Sequence, residues 1–178
     1  MTRLVAFLRA VNVGGRTVKM DALRAAFEAL AFARVETFIA SGNVVFDSPA
    51  RDLAALERKI EAQLLTRFGF EIDTFVRPLA EIAVLAAHPA FDADTVRTRT
   101  QVVGFLRGAP TPQALQALAG MATDTDHLQV RGRELFWHSS NSQADAKVSN
   151  AGLERALKLR STLRGIGSLR KLVAKHAG

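Results

Sequence analysis

The apolar stretch Val5-Ala6-Phe7-Leu8-Arg9-Ala10 is echoed late in the chain by Val102-Val103-Gly104-Phe105-Leu106-Arg107-Gly108. Nothing else in the sequence constrains the fold as much. A chain that restarts its own opening strand is read as two related units, each running through a similar series of elements.

The first series can be followed residue by residue. Val5 to Arg9 is a short apolar run closed by polar and glycine residues, the pattern of a buried strand. A helix begins near Asp21 and carries Leu23, Phe27 and Leu30 at helical spacing. Val35 to Ile39 and Val44 to Phe46 are strands joined by Ala40-Ser41-Gly42-Asn43, whose glycine and asparagine suit a tight hairpin. Ser48 and Pro49 predict the cap and first residue of a second helix, with Leu53, Leu56, Ile60 and Leu64 as its buried stripe and Gly69 as its stop. Phe70 to Val76 is a fourth strand, which completes βαββαβ, a ferredoxin-like half. A short helix from Leu79 to Ala87 follows Pro78.

Residues 88–100 are polar and aperiodic and predict the boundary. After the restart, Thr111-Pro112 caps a helix ending at Gly120, and His127 to Val130 and Glu134 to Trp137 flank an Arg131-Gly132-Arg133 turn. A helix over about Ser149 to Leu159 gives β-α-β-β-α, with the last strand missing. Beyond Thr162 the expectation is a loop and a basic helix from about Ser168 to His176, docked through Leu169, Leu172 and Val173. The fold class is therefore α+β: two ferredoxin-like halves from a weak internal duplication, residues 1–88 and 100–178, the second packed on the first.

Composition narrows the function. The absence of cysteine excludes disulfides, thiolate metal sites and cysteine nucleophiles. No apolar run reaches the roughly 20 residues of a membrane span, and the N-terminus lacks a signal-peptide pattern, so a cytoplasmic protein without membrane association is expected. The net charge of +7 lies entirely in the last 33 residues, where eight basic side chains face one acidic residue, Glu154. Such a segment either meets an anionic partner or is a solvated helical face.

Candidate chemistry concentrates in loops. Ala10 to Thr17 has nearly the spacing of a phosphate-binding P-loop, but Ala10 and Arg16 stand where glycine and lysine are needed, and the helix opens late. Gly14 and Gly15 can still turn backbone N–H groups toward a ligand, with Arg9, Asn12, Arg16 and Lys19 as nearby donors. The alternative is a structural turn with Arg9 in an ion pair. Ser41-Gly42-Asn43 divides in the same way between a ligand-facing loop and an ordinary hairpin. The four histidines are scattered, and Asp124-Thr125-Asp126-His127 has metal-ligand residue types without a second cluster. Neither a metal nor a cofactor is implied. Ser139 to Ser142 beside His138 lacks a nucleophile-elbow pattern. Without tyrosine, and with Trp137 alone, sequence-specific RNA readout is not supported, whereas contact with a phosphate backbone is.

VAFLRAVNVGG, VKMDALRAAFEAL and VETFIASGNVVFDS together resemble a bacterial family known only as a domain of unknown function, whose members open with a sequence like ALLRGINVGG. Lys147-Val148-Ser149-Asn150 is similar to the family's KLSN-type helix start. Thr162 to Leu169 aligns with a TTRNWNTV-like ending, but Gly165, Ile166 and Gly167 replace its Asn-Trp-Asn core, and Ala10 replaces the family's usual glycine. The resemblance implies an α+β fold of two ferredoxin-like halves and no established activity. It also implies that Arg9, Asn12, Gly14, Gly15, Ser41, Gly42, Asn43, Lys147, Asn150, Thr162 and Arg164 belong together.

The functional expectation is an anion-binding protein, for a nucleotide or nucleic-acid phosphate, with its site in a cleft between the halves. Arg9, Lys147 and Arg164 would neutralise charge, while Asn12, Ser41 and Asn43 would orient the ligand. An enzyme acting on a phosphorylated or carboxylated small molecule is the alternative, although the matched motifs offer no histidine or placed carboxylate as general base. A protein–protein module using the basic helix is the third reading. Catalytic residues and oligomeric state are not legible.

Overall fold

The computed structural model describes residues 1–39, 42–88 and 99–176. The chain runs β1 (Thr2–Leu8), α1 (Met20–Glu28), β2 (Ala33–Phe38), β3 (Asn43–Ser48), α2 (Leu53–Phe68), β4 (Thr74–Pro78) and α3 (Leu79–Ala86). The same order then repeats as β5 (Thr100–Leu106), α4 (Pro112–Ala119), β6 (Asp126–Arg131), β7 (Glu134–Ser139), α5 (Asn150–Leu157), β8 (Ser161–Gly165) and α6 (Ile166–His176). Each set of strands forms an antiparallel sheet, in the orders β2-β3-β1-β4 and β6-β7-β5-β8. By contacts the chain divides into two compact units, Met1–Val84 with the stretch from Leu172 onward, and Leu85–Lys171.

The duplication is therefore complete, and the expected missing strand is present as β8. Ser161, Thr162 and Arg164 make it read as loop, because a buried strand is ordinarily apolar. Its pairing with β5 nevertheless runs from Leu106↔Ser161 to Val102↔Gly165, the counterpart of Leu8↔Thr74 to Leu4↔Pro78 in the first unit. The correspondence extends to single bonds. Leu8 and Arg9 donate backbone N–H bonds to Gly42 and Asp73, at 2.8 and 2.9 Å. Leu106 and Arg107 donate to Arg133 and Arg160, at 2.9 and 3.1 Å.

Local chemistry sets the helix starts. The cap expected at Ser48 is corrected, since Ser48 belongs to β3 and pairs with Thr2. Asp52 caps α2 instead, accepting from the Ala55 N–H at 2.9 Å. A carboxylate there also meets the positive end of the helix dipole. Gly69 ends α2 in the left-handed region at φ 77°, as its position predicts. Thr111 caps α4 and Ser149 caps α5. β4 begins at Thr74, four residues later than the sequence suggests. Most of the predicted boundary, residues 89–98, lies outside the described residues.

In the first unit Leu4, Ala6 and Leu8 of β1 alternate toward Leu23 and Phe27 of α1 and Leu56, Ile60 and Leu64 of α2. In the second, Val102, Leu106 and Trp137 meet Leu118, Leu153 and Leu157. The edge strands β4 and β8 have outward N–H groups that do not end in solvent: Glu61 accepts from Thr74 at 2.9 Å, Glu57 from Val76 at 2.8 Å, and Glu154 from Ser161 at 2.9 Å.

Candidate functional site

The loop after β1 and the β2–β3 hairpin lie side by side at one end of the first sheet. Gly42 sets their separation. It has φ 77°, and a Cβ built on it would lie 3.1 Å from Leu8 Cβ and 3.3 Å from Val11 Cβ. Only glycine satisfies both the backbone and the space. Two of the expected loop segments are thus brought together, although Ser41 lies outside the described residues.

Within that surface the predicted residues separate into braces and exposed groups. Asn12, at φ 61°, accepts the Val18 N–H on Oδ1 at 2.8 Å, and its own N–H bonds the Arg16 carbonyl at 2.9 Å. The buried Asn43 donates from Nδ2 to the Phe38 carbonyl at 3.1 Å. These two amides hold loops in shape. Gly14 and Gly15, at φ 61° and 82°, are exposed, and nothing lies within 4 Å of a Cβ built on either. A ligand can reach their backbone directly.

Charge is arranged around them. Arg9 Nη1 lies 3.7 Å from Asp73 Oδ2, with both side chains a little over one quarter exposed. Arg16 places its guanidinium 5.4 Å from the centre of the half-buried Phe70 ring. Lys19 is exposed at the N-cap of α1 and makes no side-chain cap bond. Asp73 and Phe70 are the residues that sequence reasoning misses here. They lie beyond the far end of α2, and the pairing of β4 with β1 is what sets Asp73 beside Arg9, with Phe70 beside Arg16. Asp73 is also the carboxylate that the matched motifs lack.

In the second unit, Asn150 accepts from Ser161 Oγ at 2.5 Å and so fastens α5 to β8. Thr162 is buried, and Arg164 donates to its Oγ1 at 2.8 Å and to the Leu163 carbonyl at 2.9 Å. Burial pushes the Arg164 guanidinium down to about 10. Its counterpart by register is Arg77, which is fully buried, donates to the preceding carbonyl of Val76 at 2.9 Å and lies 3.6 Å from Glu57. Lys147 is exposed ahead of the Ser149 cap.

Asp126, from the Asp124–His127 stretch, is engaged by neighbouring side chains. It is buried and accepts from Trp137 Nε1 at 3.0 Å and from Thr123 Oγ1 at 2.9 Å. Burial alone would raise its pKa, but the bonds from Trp137, Ser139, Thr123 and Thr125 outweigh that and hold it below the usual carboxylate range. Among the described residues no group of three His, Asp or Glu side chains could hold a metal ion. No described helix is long and apolar enough to cross a membrane.

Two βαββαβ units of one design define an α+β protein of duplicated ferredoxin-like type. The chain belongs to the family described as Protein of unknown function (DUF1697), whose model matches residues 1–136. That span includes the Ala10–Lys19 and Gly42 loops and ends before Lys147. Among solved structures the fold is similar to that of the conserved bacterial protein SP0830 from Streptococcus pneumoniae. The TM-score is 0.78 and the identity 24%, over 100% of this chain and 99% of that one. Among curated proteins there is no match.

Proposed function

We propose that the protein binds a phosphate-bearing anion, a nucleotide or a nucleic-acid backbone phosphate, on the loop surface beyond the C-terminal end of β1. The observation that carries this reading is the exposed Gly14–Gly15 backbone, open above both Cα atoms and flanked by Arg9, Arg16 and Lys19. Backbone N–H groups and arginine forks are the donors that phosphate oxygens take up. Asn12, Gly42 and Asn43 shape the surface, and the Phe70 ring under the Arg16 guanidinium holds that donor beside the loop.

Fluorescence anisotropy with a labelled nucleotide and a labelled short RNA, across a salt series, tests the reading. Binding should be lost in the combined Arg9→Ala, Arg16→Ala and Lys19→Ala variant, and RNA binding should weaken steeply with salt. Wild-type affinity in that variant would move the function away from this surface.

A further inference from the structure

The opposite end of the same sheet holds a pocket of about 530 Å³, and every residue that lines it belongs to the first unit. It lies beside the N-terminal end of β1, about 20 Å along the strand from the Gly14–Gly15 loop. Its polar side is built from Arg3, Arg34, Glu36, Lys175 and His176. Its apolar side is Pro78 with Leu79, Ala80 and Ala83 from the first turns of α3.

The polar side is held in place by specific bonds. Register between β2 and β3 shifts between Ala33 and Glu36, and in that bulge Arg34 takes φ 46°, a conformation side-chain-bearing residues seldom adopt. Arg3 fastens the bulge, donating to the Arg34 carbonyl at 2.7 Å, to Glu36 at 2.7 Å and to Asp47 at 3.3 Å. Arg34 gives only Nε to Asp47, and among the described residues its two Nη groups have no partner. Its side chain is 70% exposed. An arginine held in a strained bulge, with its fork turned to solvent, is what a ligand-facing role requires.

Two further features favour an anion here, and a third closes the wall behind them. Lys175 is exposed, with Nζ 5.9 Å from the Phe38 ring centre. The positive end of the α3 dipole meets the pocket at Leu79. His176 has a side chain only 2% exposed, with Nδ1 3.7 Å from Glu36 and a buried Nε2 that has no hydrogen-bond partner among the described residues. Arg3 and Arg34 already offset Glu36 and Asp47, so the charge on Lys175 is in excess. The volume falls in the range of small-molecule sites and far exceeds the roughly 30 Å³ of one water.

We infer that this pocket binds a small organic oxyanion, its phosphate or carboxylate head on Arg34 and Lys175 and its apolar body against Leu79 and Ala83. The site is separate from the loop surface and does not depend on it. Phosphate and carboxylate heads share this chemistry, and the choice of probes distinguishes them.

Isothermal titration with phenyl phosphate, benzoate and inorganic phosphate tests the assignment on the full chain. The better of the two aromatic anions identifies the head group, and both should bind more tightly than inorganic phosphate. Lys175→Ala and Arg34→Gly should each weaken that binding about tenfold, the loss expected for one charge-assisted hydrogen bond. Glycine accepts φ 46°, so Arg34→Gly removes the guanidinium without straining the bulge, and a thermal melt without ligand checks that it folds. The Arg9→Ala, Arg16→Ala, Lys19→Ala variant should bind these probes like wild type. No binding at millimolar concentration, indifference to both pocket substitutions, or loss in the loop variant would each overturn the site. Equal affinity for inorganic phosphate would overturn the apolar half of the assignment.

Discussion

Replacing Gly42 with alanine should destabilise the first unit far more than the same change at Gly15. Both glycines have positive φ, 77° and 82°, so each alanine carries the left-handed backbone penalty of about 1–2 kcal/mol. Restriction of the unfolded chain returns about 0.4–1 kcal/mol in both cases. The positions differ in what the new methyl meets. At Gly15 nothing lies within 4 Å. At Gly42 the new Cβ falls 3.1 Å from Leu8 Cβ and 3.3 Å from Val11 Cβ, with the Leu8 carbonyl oxygen at 3.5 Å. Those atoms are fixed to buried backbone and cannot swing aside, so overpacking adds about 1–3 kcal/mol. The net loss is about 1–4.5 kcal/mol for Gly42→Ala and about 0–1.5 kcal/mol for Gly15→Ala, a difference of about 1–3 kcal/mol. Urea unfolding followed by circular dichroism gives both values. If Gly42→Ala proves no worse than Gly15→Ala, the two loops are not in the close contact described.

Two other outcomes follow from single residues. Asp126 has a folded-state pKa below its ordinary value, so the stability it contributes is fully present above about pH 4 and drains away as pH falls through the lower folded value. Asp126→Asn should therefore be less stable at neutral pH by about 1–3 kcal/mol but lose less on acidification, with unfolding reported by the single tryptophan, Trp137, that donates to it. Ala10 occupies the left-handed region at φ 56°, where its family resemblance places glycine. Relief of backbone strain exceeds the entropy glycine adds to the unfolded chain, so Ala10→Gly should raise stability by about 0.5 kcal/mol, read as a shift in urea midpoint.

The readable parts of the sequence were those governed by local chemistry. The strand around Phe7, the helix stripe of Leu56, Ile60 and Leu64, the Gly69 stop and the Thr111 cap each follow from a few consecutive side chains. β8 escaped because its place in the sheet is set by pairing with β5 and by Glu154, not by its own hydrophobicity. Ser48 has the residue type of a cap, but β3 claims it because Thr2 lies opposite it, and the cap falls to Asp52. At the loop surface the glycines and Arg9 were legible, since turns and donors announce themselves by residue type. Asp73 and Phe70 were not, because their proximity to Arg9 and Arg16 is a long-range product of the sheet. The Arg34 pocket left no motif, since it assembles from β1, β2, β4, α3 and α6.

The glutamates along β4 and β8 bear on how such a chain behaves in a crowded solution. A strand recruited from another molecule would have to present its carbonyl oxygens to the N–H groups of Thr74, Val76 and Ser161, where Glu61, Glu57 and Glu154 already sit. Joining would mean evicting a carboxylate at each rung, and the evicted charge would remain beside the newcomer's carbonyls. Helices that serve folding thus also refuse templated growth at these two edges, and on β4 they act alongside Pro78, which has no N–H to offer at the next position.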